Sequence, residues 1–544
     1  MAQILPPGLT ASDFAKALAE FKAAVGEDWV FSSEEDLETY RDPYSLRWGD
    51  PDEYLASAAV APDTVPQVQA IVRTANKYRI PLYPISTGKN LTYGAAAPTF
   101  TGSVVLDLKR MNRILKVDDK RNFALLEPGV SYFDLYRHIQ DHNLNVWVDT
   151  PDPGWGSPIG NALDHGVGYT ASPFRDHFGS HCGMEVVLPT GEVMRTGMGA
   201  LPTADSWQDY RYGVGPYVDG LFSQANFGIV TKMGFWLYPR PETWFSASAL
   251  VPRFADLQGL IEEVSYLEDS HLMTGQAIYS SPAGPAPGAA VSADLTALMA
   301  HGWPTRDDID TFIKKQGVPA WRVKLQFYGP EKTVRANWEY AQERIRKAIP
   351  GATFEEGELL RMPLTPEQQK THHLVNFGIP NMAIYSMIER RESDRFNPPQ
   401  GHVDFLCILP RSADAIFRAQ KTLYDTQKSM GVPAVTTPFG GPITWYHRAF
   451  LIGAPTTANY RDDREKNKQS RAVFAAYIKN MAAAGFGEYR TNSAMQDLLV
   501  AQFSFNDHAL LRFQERLKDA ADPNGIISPG RYGIWPRHLR KEKK

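Results

Sequence analysis

Five glycines fall within the twenty residues of PDPGWGSPIGNALDHGVGYT, positions 151 to 170. Glycine has no side chain to pack and loses the most backbone freedom on ordering, so a run this dense supports neither a long helix nor a strand. What it allows is very close approach of backbone to something else. Gly166-x-Gly168-x-x-Ala171 imitates a dinucleotide fingerprint, but that fingerprint should follow a strand and open a helix. The preceding NALDH does not read as a strand, and Pro173 interrupts the helix that should come next. The Rossmann reading is therefore rejected. The expectation is backbone lying against a flat ligand, with Asp152 near the front of the stretch.

A second glycine-marked loop, PISTGKNLTYGAAAP (84–98), contains a Gly-Lys pair but is no P-loop, because Tyr83 stands where the first glycine belongs and Asn90 follows Lys89. Converging backbone amides in such a loop can still cradle a pyrophosphate. Taken alone it reads equally well as a surface turn. QGHVDFLCIL (400–409) reads as one strand opening with His402, and a lone histidine there is ordinarily a hydrogen-bonded residue without a special role. In GFGEYRTNSAMQDLL (485–499), Tyr489 and Arg490 are neighbours. In a strand they would face opposite sides, whereas in a turn they can converge. Two phenol hydroxyls and a guanidinium meeting at one point make an anion site; alone, the pair reads as a core tyrosine beside a surface arginine. There is no HExxH, CxxC, EF-hand or GxSxG pattern, so no metal site and no serine hydrolase are expected.

With 544 residues the chain suggests two large domains or three smaller ones and can bury a substantial core. A net charge of -4 gives no argument for nucleic acid or an anionic membrane as partner. The two cysteines, Cys182 and Cys407, form no disulfide framework and favour a reducing compartment. MAQILPPGLTASDF lacks the features of a signal peptide, and no window approaches the ~18 apolar residues of a membrane helix. The expectation is a cytoplasmic protein, in which the sequon Asn90-Leu91-Thr92 carries no glycan. The elements read as α+β. VPQVQAIVRTANKYRIP (65–81) has helical spacing, SVVLDL (103–108) and NFALLEPG (122–129) are buried strands, and 184–197 is a hairpin around Pro189-Thr190-Gly191. The texture changes near 236–244. Beyond it, Val334, Trp338, Ala341, Ile345 and Ile349 share a helix face that stops at Pro350-Gly351, and 280–292 is a Pro/Gly/Ala-rich surface loop. The last helix is closed by a DPNG turn.

In order along the chain, PISTGKNLTYGAAAP, LEPGVSYFDLY, PDPGWGSPIGNALDHGVGYT, MEVVLPTGEVMRTGMGAL, GVGPYVDGLFSQANFGIVTKMG, GEYRTNSAMQD and DPNGIISPGRYGIWP resemble the vanillyl-alcohol oxidase/p-cresol methylhydroxylase flavoproteins. Within that group the pattern is most similar to bacterial eugenol oxidases and 4-alkylphenol oxidases. The resemblance implies a two-domain FAD-linked oxidase fold. Its FAD-binding domain, of two α/β subdomains, would use residues 1–240 and 488–544; a cap domain, 241–487, would carry an antiparallel sheet flanked by helices. It implies FAD as cofactor. Pro84, Ser86, Thr87, Gly88, Lys89, Asn90 and Leu91 would lie at the pyrophosphate. Pro151, Gly154, Ser157, Gly160, Asn161 and Val230 would line the cofactor, and Arg531 would lie near the flavin ring. His402 matches the position of covalent attachment through the flavin 8α-methyl group. The histidine that assists attachment in one branch is absent from RDPYSLRWG.

By the same resemblance Tyr93, Tyr489 and Arg490 form a phenolate-binding trio, and Asp152 is the carboxylate near flavin N5. Tyr169, Trp445 and His447 shape the substrate pocket, where relatives often have Met-His-His in place of Trp445-Tyr446-His447. The implied activity is oxidation of para-substituted phenols through a p-quinone methide, with O2 reduced to hydrogen peroxide, by a homodimer. An alternative within the family passes electrons to a cytochrome c or azurin-like acceptor. Two further readings stay open: a flavin-carrying binding protein without turnover, and a carbohydrate or hydroxy-acid oxidase, which would need no phenolate trio.

Overall fold

The computed structural model describes residues 4–540 apart from 225, 286–290, 384–400, 454–456 and 459–462. Helix α1 (Ala11–Val25) begins where the Thr10 side chain accepts the Asp13 N–H, and its Phe14, Ala17 and Phe21 are wholly buried. Helix α2 (Val65–Tyr78), the helix expected from spacing, ends at Arg79 in the left-handed region. Their apolar stripes share a core with strands β1 (Val30–Phe31), β2 (Ala58–Val60), β3 (Leu82–Ile85) and β4 (Val104–Asp107). The strand order is β1-β2-β4-β3, with β2 and β3 both parallel to β4.

The far end of the chain joins this sheet. Leu82 N donates to Ile526 O at 2.6 Å and Ser528 N to Leu82 O at 2.8 Å. The segment is held from beneath by Lys518, whose buried ammonium donates to Asn226 O, Asp522 Oδ2 and Ile527 O. Asp522, first residue of the expected DPNG stop, in turn accepts the Ile526 and Ile527 amides. This splice brings Arg531 beside the loop that leaves β3.

A second, antiparallel sheet is formed by β5 (Ile114–Asp118), β6 (Phe123–Leu126), β7 (His181–Val187), β8 (Val193–Arg195) and β9 (Ile229–Trp236) in the order β5-β6-β9-β7-β8. The expected hairpin is β7–β8, closed by Gly191 N donating to Leu188 O. A third sheet has β10 (Thr243–Val251), β11 (Ile278–Ser280), β12 (Trp321–Gly329) and β13 (Thr353–Arg361) in the antiparallel order β11-β12-β10-β13. Helices α3 (Leu257–Asp269) and α4 (Glu331–Ala348) flank it, and the predicted α4 face is buried against Phe245 and Phe327 around Trp338. The architecture is thus α+β with an antiparallel sheet flanked by helices, as the sequence led us to expect.

One element differs. QGHVDFLCIL is two short strands, β14 (His402–Val403) and β15 (Leu406–Leu409), which pair with Thr457–Ala458 and Phe450–Gly453 respectively. The ladder breaks at Asp404-Phe405 because these residues serve different places. Phe405 packs edge-on against Phe474 in the core, while Asp404 faces a cavity. Part of the 280–292 loop, 286–290, lies outside the described residues. Cys182 and Cys407 are buried free thiols. Among the described residues no helix is long and apolar enough to cross a membrane, and no group of three or more His, Cys, Asp or Glu is placed to hold a metal.

Candidate functional site

The loop after β3 turns tightly on Gly88, at φ +66°, where an added Cβ would lie 3.1 Å from that of Ala96. The Tyr93 and Ala95 amides donate to Asn90 O at 3.2 and 3.0 Å, closing the loop. Opposite it, Ser157 begins the short helix Pro158–Leu163: its hydroxyl donates to Pro128 O at 2.6 Å and accepts the Gly160 N–H. An added Cβ on Gly160 would collide with the Ser86 hydroxyl, so glycine lets these two loops close on one another without displacing that side chain.

Between them runs a cavity with about 290 Å³ of room for water centres. The whole stretch Pro84–Leu91 lines it, as do Pro151, Asp152, Ser157, Gly160, Asn161, Val230 and Arg531, and Tyr93, Tyr169, Trp445 and Arg490 join them. Of the expected residues whose side chains are described, three do not: Gly154, His447 and Tyr489, the last beside Arg490. Gly154 is turned away, donating its N–H to Asn381 O at 2.9 Å with its Cα against Phe133; Gly156 takes the place at the wall. His447 points elsewhere, with Nδ1 2.9 Å from Ser172 Oγ and Nε2 3.4 Å from Asp269 Oδ1, drawn there by that carboxylate. His402 is described in its backbone, in β14, two residues before the cavity-lining Asp404.

The three residues expected to form a phenolate-binding trio converge. The Arg490 guanidinium stacks 3.9 Å over the Tyr93 ring and 5.3 Å from that of Tyr489. Asn492 Nδ2 donates to Thr92 O at 2.8 Å, tying the 489–492 turn to the 90–93 loop. Burial pushes the Tyr93 hydroxyl well above its ordinary range and raises that of Tyr489, although Arg490 opposes both shifts. Both therefore stay protonated donors at neutral pH. Among the described residues Arg490 Nε is buried without a hydrogen-bond partner, and the buried Tyr489 hydroxyl has only poorly aligned contacts, to the Tyr93 hydroxyl and Arg490, which lower its titration. Buried polar atoms without partners are uncommon, and here they mark where a ligand oxygen would sit.

On the other side, burial raises the Asp152 carboxyl, opposed by His373 and the Tyr169 hydroxyl, and its Oδ1 has no hydrogen-bond partner. Tyr169 is pushed well up by burial and then by Asp152, and its ring meets Trp445 edge-on at 6.1 Å.

Sequence reasoning missed Asp164 and Asp404, and named Tyr446 only as a departure from the family pattern at the pocket. Asp164 is the buried partner of Arg531, at 2.6 Å, and of Asn90. Tyr446 packs edge-on to Tyr489 at 5.8 Å, with its hydroxyl on His165 O. No spacing signals these residues; an acid ending NALD has no local partner that would give it away.

The residues fit FAD. Close-packed glycine loops face a cation, Arg531, as a pyrophosphate and an electron-rich ring require, and buried Asp152 and Thr92 oxygens are left without partners at the wall. Fold and site define an FAD-dependent oxidoreductase, and the FAD binding domain family matches residues 56–197. The 4-cresol dehydrogenase [hydroxylating] flavoprotein subunit of Pseudomonas putida is 31% identical over 536 residues, 98% of both chains. A solved structure of the 4-ethylphenol oxidase of Gulosibacter chungangensis, in complex with isoeugenol, superposes with a TM-score of 0.81 at 33% identity, covering 98% of this chain and 100% of that one. The 1'-carboxy-chondrochloren decarboxylase of Chondromyces crocatus is 36% identical over 88% of this chain and 91% of its own. The chain belongs to the vanillyl-alcohol oxidase/p-cresol methylhydroxylase family of flavoproteins.

Proposed function

We propose that the protein oxidises para-substituted phenols of the vanillyl-alcohol, eugenol or 4-alkylphenol type at the benzylic carbon. The observation that carries this is the convergence of Tyr93, Tyr489 and Arg490, with Arg490 Nε buried and without a partner among the described residues, at a cavity that Asp152 also lines. A phenol titrates near pH ~10, so binding it as phenolate at pH 7 costs about 4 kcal/mol. A hydrogen bond to a charged group contributes roughly 1.5–3 kcal/mol, so three donors offset the cost where one would not. FAD, when bound, would supply the two-electron acceptor for a benzylic hydride, with O2 as the final oxidant. The clamp holds the phenolate, whose charge spreads through the ring to the para carbon, and hydride loss there leaves a p-quinone methide. Water adding to that methide gives up a proton, for which Asp152 is the nearby acceptor, and its C–O bond restores the phenolate. Tyr169 and Trp445 would bound the side-chain end, while Ser86, Thr87, Lys89, Asn90, Leu91 and Arg531 would hold the cofactor, with His402 its covalent attachment. The division at 240/241 and 487/488 belongs to the same proposal.

That a relative is a dehydrogenase flavoprotein subunit keeps a protein electron acceptor as the second reading. Anaerobic reduction by 4-ethylphenol, eugenol and vanillyl alcohol, followed by admission of air, tests both. Bleaching and rapid return with peroxide support the oxidase, slow return supports the second reading, and no bleaching by any phenol ends the proposal. Acid-precipitated protein should form a yellow pellet, and the colour should move to the supernatant in His402→Ala; a colourless wild-type pellet overturns the linkage.

A further inference from the structure

The sequence does not single out Asp164, yet it is the carboxylate on which the cations of the cavity meet. Its Oδ1 accepts from Arg531 Nη2 at 2.6 Å and from the Tyr532 hydroxyl at 3.3 Å. Its Oδ2 accepts from Asn90 Nδ2 at 2.6 Å and lies 3.9 Å from Arg490 Nη1. Four separate segments, the loop after β3, the end of the short helix, the 489–490 turn and the 531–532 turn, thus share one buried carboxylate. Two guanidiniums and one carboxylate leave one net positive charge in this trio.

The other ionisable groups around it come from every side. Tyr83 and Tyr532 face Arg531, and Tyr93, Tyr489 and Tyr446 face Arg490. His165 adjoins Asp164 and is held below its ordinary range by burial. Glu488, beyond Tyr532, is pushed well up by burial, and Asp404 acts on Tyr93.

We propose that Asp164 is a positioning residue that sets the charge of the anion clamp: it holds Arg490 and Arg531 toward the cavity and cancels one of their two charges. The inference rests on the phenolate reading above. Its consequence is a clamp strong enough to ionise a phenol yet weak enough to exchange it, since two uncompensated guanidiniums would hold an anion far more tightly. Arg490 has anchors that do not need the carboxylate, the Tyr93 ring at 3.9 Å and the backbone carbonyl of Asp164 at 3.5 Å. Asp164→Asn therefore removes the charge while leaving the arginine aimed, and the sign of the effect is a gain in anion binding, which structural damage would not produce.

The test is a pH titration of 4-nitrophenol bound to the FAD-loaded protein, read from the phenolate absorbance, with 4-nitroanisole as the uncharged counterpart. In Asp164→Asn the apparent pKa of the bound phenol should fall by about one unit below wild type and the anion should bind about tenfold more tightly. 4-Nitroanisole binding should not change. Asp164→Glu keeps the charge and should match wild type, and Asp164→Ser, which also removes the charge, takes the place of the Asn variant if that does not fold. An unchanged or higher pKa in the Asn variant, or a shift of a full unit in the Glu variant, overturns the inference. If the wild-type protein itself fails to lower the pKa of the probe, the phenolate reading fails with it; a wild-type shift without a difference in the variants defeats this inference alone.

Discussion

Replacing Tyr489 with phenylalanine deletes one hydroxyl and separates function from stability. In the protein alone that hydroxyl is buried with only poorly aligned contacts to the Tyr93 hydroxyl and Arg490, so its removal breaks no hydrogen bond of regular geometry among the described residues. An unpaired buried polar group costs about 1–3 kcal/mol, so the thermal midpoint should hold or rise. The ring stays, and with it the edge contact to Tyr446 at 5.8 Å and the Arg490 guanidinium at 5.3 Å. With substrate bound, the same hydroxyl would donate to a charged oxygen, a bond of about 1.5–3 kcal/mol. At about 1.4 kcal/mol per decade, kcat/KM should fall roughly 10- to 150-fold. The assay is anaerobic flavin reduction by 4-ethylphenol over a range of concentrations, alongside a thermal melt of the same preparation. Unchanged kcat/KM would remove Tyr489 from the clamp. A midpoint several degrees lower would show that the hydroxyl has a structural partner and that the reasoning from its isolation is wrong.

Two further outcomes follow from the geometry. Gly88→Ala places a Cβ at φ +66°, 3.1 Å from that of Ala96, at a strain of roughly 1–2 kcal/mol, and should lower the flavin-to-protein absorbance ratio of the purified protein; an unchanged ratio would release this loop from a cofactor role. Glu268 lies buried beside Arg175 and Arg411, and burial lifts its carboxyl to about 7. The folded protein therefore keeps a proton that the unfolded chain has released, so the stability from this group is complete below the unfolded pKa and is lost as pH rises through about 7. In Glu268→Gln the decline of the thermal midpoint between about pH 5 and 8 should be shallower, and identical slopes in the two proteins would refute it.

The local elements were legible because their information is local. The face of Val334, Trp338, Ala341 and Ile345 repeats at helical spacing, and all four are buried as that spacing requires. The hairpin at 189–191 is written in its own turn residues. The loops at 84–91 and 151–161 could be picked out for a different reason: their glycines mark backbone at positive φ at Gly88 and packed close to Ser86 at Gly160. Tertiary structure decided the rest. Which glycine reaches the wall, 156 rather than 154, depends on where Phe133 lies. That His447 leaves the pocket depends on Asp269 at the end of another element. Asp404 breaks a strand that periodicity alone would run straight through. Above all, Tyr93 and Arg490 meet, and Asp164 neutralises one of two guanidiniums, only because segments far apart in the chain are spliced together at β3 and at the Asn492–Thr92 hydrogen bond. Periodicity and propensity act over a few residues, whereas charge compensation in a buried site acts across whatever the packing brings within a few ångströms, and a linear sequence does not record that neighbourhood.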